Sequence, residues 1–189
     1  TNNTFRAGSP ISNPENVAPD GSLMLDLPDG RFLIPGHAIE GAWFIMQEGM
    51  ARNDRNLIDK ACELLLWELE FGWDKEYGGI YYFMDALGKP HLELQHDMKL
   101  WWVHNEATLA CLYAWRLSGK EIFRDWFEKI DVWTWQHYPD PEYGEWFGYL
   151  NRRGEATHFL KGGKWKTFFH LPRGLFIAID QMKKIQTKK

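Results

Sequence analysis

Apolar residues recur every three or four positions in five long stretches of the chain, which is the spacing of amphipathic helices. The second stretch shows this most clearly, with a buried stripe formed by Leu57, Ile58, Ala61, Leu65 and Leu69. The spacing predicts helices over residues 37–51, 54–71, 98–117, 120–137 and 167–185. Glycine follows two of them, at Gly72 and Gly119, as is common at helix C-termini.

Aromatic residues beside turn-forming residues separate the helix pairs and predict β-hairpins. One hairpin is expected to run through strand 80–83, bend at 85–89 and return over 91–94. A second opens at 140–149, bends at 151–154 and returns over 157–160. Pro28-Asp29-Gly30 predicts a short hairpin that ends at 31–33.

The first thirty residues are rich in Asn, Pro, Gly, Ser and Asp and predict a loop or extended N-terminal segment. A disordered tail over residues 1–22 fits this composition equally well. We therefore expect residues 31–189 to form the folded unit.

Similar motifs recur along the chain at a nearly constant interval. Asp74-Lys-Glu-Tyr-Gly78 and Asp140-Pro-Glu-Tyr-Gly144 lie 66 residues apart, and intervals of 67 and 66 residues separate His37, His104 and His170. A repeated unit of two helices and a hairpin indicates a stacked, all-α architecture. Such units can close into an (α/α)6 toroid, or barrel, of about twice this length. The chain would supply half of the ring, with its histidines converging on one cavity.

His37 and Glu40 are the first candidates for chemistry, because they share one face of a predicted helix start. A histidine beside a carboxylate can carry a proton near neutral pH. The alternative is a histidine that binds backbone, with Glu40 complementing the helix dipole.

Composition restricts the class of partner. A net charge of −4 from interspersed acidic and basic residues argues against nucleic acid or an anionic membrane surface. Eleven Trp residues suit packing against a sugar, although many will be core. Cys62 and Cys111 indicate buried hydrophobes rather than a disulfide or zinc site.

Several expectations concern what the sequence lacks. No apolar run reaches the roughly 18–20 residues of a membrane span, and no signal peptide is evident, so we expect a cytoplasmic protein. The chain begins at Thr1 without an initiator Met, which predicts further residues upstream. It has no GxGxxG or Walker loop, and we expect no metal or cofactor.

Five segments together resemble the C-terminal half of the N-acylglucosamine 2-epimerase family, also described as renin-binding protein. They are Pro35-Gly36-His37-Ala38-Ile39-Glu40, Met98-Lys99-Leu100-Trp101-Trp102 with His104 and Glu106, Asp140 to Tyr149, Lys161-Gly162-Gly163 and Phe169-His170-Leu171-Pro172-Arg173. The resemblance implies an (α/α)6 barrel that interconverts N-acetylglucosamine and N-acetylmannosamine by moving a proton at C2. Related cellobiose 2-epimerases and mannose or ketose isomerases share that core.

The resemblance also implies roles for individual residues. His37 and His170 would be the two acid/base histidines, with Glu40 supporting His37 and Glu106 as the catalytic-pocket glutamate. Substrate-binding positions would be His104, Trp101, Trp102, Lys99, Trp146 and Arg173. An essential arginine belongs to the family's N-terminal half, so the implied partners are a sugar and either that missing half or a homo-oligomer.

Three alternatives remain open. An (α/α)-barrel glycoside hydrolase would use paired carboxylates. The candidates for that pair are Asp74, Glu76, Asp140, Glu142 and Glu145, although a structural turn explains this repeat more simply. A non-catalytic half-barrel could function by association through exposed apolar surface. The chain could also be a remnant of a longer enzyme.

Overall fold

The computed structural model describes residues 14–187, and residues 1–13 and 188–189 lie outside this range. The helices within it are α1 (Pro35–Arg52), α2 (Arg55–Gly72), α3 (Trp101–Ser118), α4 (Glu121–His137) and α5 (His170–Gln186). All five helices predicted from the hydrophobic spacing are confirmed, with ends displaced by no more than a few residues.

Local chemistry explains where the helices begin and end. Pro35 occupies the first turn of α1, where the missing N–H of proline is tolerated. Asp54 caps α2 by accepting a hydrogen bond of 3.0 Å from the Leu57 backbone N–H. Asn53 and Gly119, at the ends of α1 and α3, adopt the left-handed conformation common after a helix.

Helix α3 lies at the centre of the fold, with α1 on one side and α5 on the other, while α2 packs on α1 and α4 on α3. It is buried along most of its length, from Trp101 to Ala114. This is the helix-pair arrangement expected for part of an (α/α) ring, with α1, α3 and α5 as neighbouring inner helices. None of the helices described has the length and apolar character needed to span a bilayer.

The two-residue strands join distant parts of the chain. Strand β1 (Phe32–Leu33) pairs with β2 (Met84–Asp85), and β3 (Lys99–Leu100) pairs with β4 (Tyr149–Leu150), both antiparallel. The predicted bend at 85–89 is present, but the returning segment lies at 96–98 rather than 91–94, since the backbone N–H groups of Tyr82 and Phe83 donate to the Met98 and His96 carbonyls at 3.0 Å. The hairpin predicted to end at 31–33 is wrong, because β1 pairs with β2 instead. A buried ion pair of 2.9 Å between Arg31 and Asp85 holds the pairing that forms instead.

The second predicted hairpin is confirmed at its bend. Leu150 bridges Ala156, and the Asn151 backbone N–H donates to the Glu155 carbonyl at 2.8 Å. Its first strand, β4, also pairs with β3, which immediately precedes α3. This pairing brings the loop before α5 close to the start of α3.

The repeated Asp-x-Glu-Tyr-Gly motif forms a turn at both of its positions. Asp74 Oδ1 accepts from the backbone N–H groups of Glu76 and Tyr77 at 3.0 and 3.3 Å. Asp140 Oδ1 does the same with the following Glu and Tyr, at 2.9 and 3.2 Å. These carboxylates satisfy backbone donors, so the structural turn accounts for the repeat without a hydrolytic role.

Candidate functional site

A cavity of about 500 Å³ lies beside the first turns of α1, α3 and α5. Its lining includes the imidazoles of His37 and His170 and the rings of Tyr82, Trp101, Trp102 and Tyr149. Because the first turns of the three inner helices contribute to one cavity, their N-termini lie at the same end of the fold.

Trp102 lies within reach of both cavity histidines. Its ring centroid is 5.4 Å from that of His37 and 5.5 Å from that of His170. Gly36 permits this approach, because a Cβ there would lie 2.6 Å from the Trp102 ring. The expected convergence of these two histidines on a common hollow is therefore present in the geometry.

His170 is held by a fully buried carboxylate of α3. Its Nδ1 lies 2.7 Å from Glu106 Oε1, to which Arg173 also donates, and Trp43 Nε1 donates to Oε2 at 2.9 Å. The Arg173 guanidinium balances the buried charge of Glu106. Asn105 donates from α3 to the His170 carbonyl and further fixes the start of α5.

Glu40 lies on the α5 side of α1, where Arg173 approaches it at 3.5 Å. Burial, followed by the nearby charge of Glu106, raises the pKa of Glu40. The hydrogen-bond partner of His37 is Glu15 rather than Glu40. The two carboxylate oxygens of Glu15 lie 3.0 and 3.1 Å from His37 Nδ1. This hydrogen bond raises the pKa of His37, and the nearby charge of Glu40 also raises it.

His104 does not line the cavity, contrary to the expectation of a substrate-binding residue. Its ring is fully buried and stacks on Trp133 of α4 at a centroid distance of 4.7 Å. Nε2 accepts from the Ile80 backbone N–H at 2.9 Å, and Nδ1 lies within 3.0 Å of the Leu100 carbonyl and the Tyr138 hydroxyl. Burial lowers the pKa of His104 to about 3, so the ring is neutral and structural.

Lys99 and Trp146 are likewise buried away from the cavity lining. Lys99 pairs with Asp74 at 3.2 Å, and burial, opposed by that carboxylate, lowers the pKa of Lys99 to about 8. Trp146 stacks on Tyr138 at 5.6 Å. The expectation that Lys99 and Trp146 contact the sugar is therefore wrong, as it is for His104. Their side chains are buried and already contact other groups of the protein.

Sequence reasoning missed several residues at the site. Glu15 belongs to a segment predicted only as a loop, 22 residues before the histidine it contacts, and nothing local in the sequence marks it. Tyr82, Tyr149 and Trp165 also line the cavity. The signal that could have found the tyrosines is the aromatic stretch that follows each copy of the repeated turn motif.

Glu40, Glu106 and His170 form a group whose possible metal-ligand atoms lie within 4.8 Å of one another among the described residues. Arg173 pairs with both carboxylates and already supplies positive charge there. A metal ion would have to compete with that guanidinium. The donor set is therefore better suited to orienting His170 than to holding a divalent cation.

The helical fold corresponds to part of an (α/α)6 barrel. A solved D-mannose isomerase matches with a TM-score of 0.70 at 21% identity, over 78% of this chain and 37% of that one. At this level of identity the similarity establishes the fold.

Sequence comparison identifies the family. The N-acylglucosamine 2-epimerase (GlcNAc 2-epimerase) model matches residues 4–173, and the chain belongs to this family. The N-acylglucosamine 2-epimerase of Rattus norvegicus is 42% identical over 167 residues, covering 85% of this chain and 38% of that protein. A D-mannose isomerase of Pseudomonas cannabina pv. alisalensis is 31% identical over 137 residues, covering 69% of this chain and 32% of that protein. The chain thus spans less than half the length of these relatives and corresponds to their C-terminal part.

Proposed function

We propose that this chain is the C-terminal part of a sugar 2-epimerase that interconverts N-acetylglucosamine and N-acetylmannosamine. The observation that carries the proposal is the pair of histidines on one cavity, each with its own carboxylate at Nδ1. Among the described residues neither Nε2 has a hydrogen-bond partner. Both rings therefore keep one nitrogen available for a proton of the substrate.

The reaction requires two proton carriers. In the open-chain N-acetylhexosamine, removal of the C2 proton beside the C1 aldehyde gives an enolate with its negative charge on the C1 oxygen, and a proton returned to the opposite face of C2 gives the epimer. His37 and His170, on different helices, would act from the two faces. The N-termini of α1, α3 and α5 at this end of the fold would stabilise the developing negative charge.

Aromatic rings of the cavity would bind the sugar ring or chain. Trp102 lines the cavity close to both histidines, and Trp101 and Tyr149 belong to the same lining. Flat apolar faces with polar edges suit the alternating C–H and O–H groups of a sugar. Arg173 would contribute by holding Glu106, and through it His170.

The proposed partner of this chain is the remaining part of the barrel. Phe176, Ile179 and Met182 recur at helical spacing on α5 and are exposed. An apolar helix face of this kind indicates a surface that another element covers. Because relatives are more than twice as long as the matched region, the missing helices of the ring are the occupant that we propose.

Isotope exchange tests the function. The chain is complemented with the remaining N-terminal part of the rat relative and incubated with N-acetylmannosamine in D2O, and NMR follows C2. The two-histidine mechanism predicts epimer that carries deuterium at C2 from its first appearance. The N-terminal part alone is the control, and an epimer formed without solvent deuterium would refute the two-histidine mechanism.

The acid/base roles are tested with the same assay. His37→Asn and His170→Asn are each expected to lower epimerisation by about 10²- to 10⁴-fold, the usual contribution of a general acid or base. Each variant should still exchange the C2 hydrogen of one epimer, because one ring remains. Full epimerisation by either variant would exclude the two-base assignment.

A second candidate is an aldose–ketose isomerase, favoured by the 31% identity to a D-mannose isomerase. In a sugar with a hydroxyl at C2, such as mannose, the corresponding intermediate is an enediolate, which gives a ketose if the proton returns to C1 rather than C2. A panel of N-acetylmannosamine, mannose, glucose and cellobiose, read by NMR, separates the candidates. Fructose formed from mannose, with the N-acetyl sugars unchanged, would favour the isomerase.

A further inference from the structure

Glu15 contacts His37 from outside the helical part of the fold. Its carboxylate oxygens lie 3.0 and 3.1 Å from His37 Nδ1, although 22 residues separate the two in sequence. The Glu15 side chain is 27% exposed, while that of His37 is 52% exposed. The carboxylate therefore covers one side of a ring whose other side faces the cavity.

The position of Glu15 is fixed by the backbone around it. Its N–H donates to the Phe32 carbonyl at 3.0 Å, and the neighbouring Asn16 side chain donates to the Asp29 carbonyl at 3.2 Å. Phe32 belongs to β1, which is paired with β2 just before α1 begins. The segment is thus attached to the element that also sets the start of α1, and this attachment brings the carboxylate to the histidine.

A carboxylate at Nδ1 determines which nitrogen of a neutral imidazole carries the proton. It accepts a hydrogen bond from Nδ1–H, so Nε2 is left as the basic nitrogen. We propose that Glu15 is a positioning residue that holds His37 in this tautomer, with Nε2 free to exchange the C2 proton of the sugar. This inference rests on the proposed function for its catalytic consequence, but the contact and the tautomer can be measured without substrate.

The charged and titratable groups around His37 determine how its titration should respond. Glu15 faces it from the N-terminal segment and Glu40 from α1, and both raise the pKa of His37. His170 of α5 and Tyr82 share the cavity with it. Removing the Glu15 charge should therefore lower the pKa of His37, since only Glu40 remains to favour the charged ring.

The test compares Glu15→Gln with Asp26→Asn, which removes an exposed carboxylate from the same segment. Both are made in the complemented protein, and ring ¹⁵N NMR of His37 gives its tautomer and pKa. In Glu15→Gln we expect a lower pKa and a smaller fraction of the Nδ1–H tautomer. In Asp26→Asn both should match the unsubstituted protein.

Kinetics provide the second measurement. Glu15→Gln should lower kcat for C2 exchange by about 10- to 100-fold, the loss typical when the carboxylate partner of a functional histidine is removed. The acid limb of the kcat–pH profile of Glu15→Gln should move to lower pH, because a less basic His37 remains unprotonated at lower pH. Structural damage alone would lower the rate without moving that limb.

Two results would overturn the inference. One is a His37 tautomer and pKa that Glu15→Gln leaves unchanged. The other is a changed tautomer with C2 exchange as fast as in the unsubstituted protein. If the unsubstituted protein exchanges no C2 hydrogen in any sugar tested, the proposed function and the catalytic part of this inference fail, while NMR still decides whether Glu15 holds the ring.

Discussion

His104 shows how much a single buried side chain can organise in this protein. It connects the Ile80 backbone N–H, the Leu100 carbonyl and the Tyr138 hydroxyl, which lie on three different segments. An imidazole can satisfy a donor and an acceptor at once only in its neutral form. The hydrogen bonds around the start of α3 therefore require the neutral ring of His104.

The first prediction follows from that role. His104→Leu leaves the Ile80 N–H and the Tyr138 hydroxyl without their partner and should lower the free energy of unfolding by about 2–4 kcal/mol at pH 7. The folded ring has a pKa of about 3 and the unfolded ring an ordinary one near 6.5, so the unsubstituted protein loses stability as pH falls below about 6.5.

Urea unfolding at pH 7 and pH 5 measures both effects. Because His104→Leu has no imidazole to protonate at this position, the difference in free energy of unfolding between the two proteins should be smaller at pH 5 than at pH 7. A variant that is as stable as the unsubstituted protein, or a gap that does not depend on pH, would contradict a buried neutral His104.

Glu40 gives a second prediction at this scale. Burial raises its pKa in the folded protein, so protonation favours the native state and stability falls as pH rises from the unfolded pKa of about 4.5 through the folded value. Glu40→Gln should therefore raise the melting temperature near neutral pH, with a difference that shrinks below pH 4.5. The exposed Glu63→Gln on α2 is the matched control and should change little. Equal melting temperatures for Glu40→Gln and the unsubstituted protein at neutral pH would contradict the raised pKa of the buried Glu40.

Among the elements, the contact of α3 with α5 determines the position of His170. Gly174 lies against Asn105, and a Cβ there would approach the Asn105 side chain to 2.3 Å. Asn105 in turn donates to the His170 carbonyl. A methyl group at position 174 would therefore displace the buried Asn105 amide, or the two helices themselves, at the turn that carries the histidine.

We predict that Gly174→Ala lowers the free energy of unfolding by about 1–3 kcal/mol through overpacking. It should also reduce epimerisation, because His170 moves relative to Glu106. Gly41→Ala is the matched control, since a Cβ there meets nothing within 4 Å, and it should stabilise by about 0.5–1 kcal/mol. Urea unfolding measures both, and a stabilising Gly174→Ala would exclude the close approach.

The elements also differ in how well local sequence predicts them. Helices depend on spacing within one segment and on caps such as Asp54, so all five were predictable. Strand β2 pairs with β1, whose residues lie about fifty positions earlier, because the Arg31–Asp85 pair is buried between them. No local pattern contains that partner, so local sequence predicts pairing with a neighbouring segment instead.

At the scale of the whole molecule, the exposed face of α5 should govern association. Phe176 is 77% exposed and Ile179 54% exposed. We predict that the chain alone binds hydrophobic dye and forms larger species in light scattering, and that the double variant Phe176→Ser, Ile179→Ser reduces both. Adding the complementing N-terminal part should have the same effect as the variant. A monomer with low dye binding before any substitution would contradict an uncovered interface.

The sequence by itself determined the five helices, the repeat of about 66 residues and the family, because periodicity, caps and motifs are properties of contiguous residues. It also singled out His37, His170, Glu106 and Glu40 as candidate catalytic residues. Tertiary structure alone decided what each of them contacts. His104 packs in the core against Trp133 of α4, and Glu40 lies beside Arg173. The pairing around β1 places Glu15 next to His37. These outcomes depend on which distant surfaces pack together, and linear spacing carries no information about that packing.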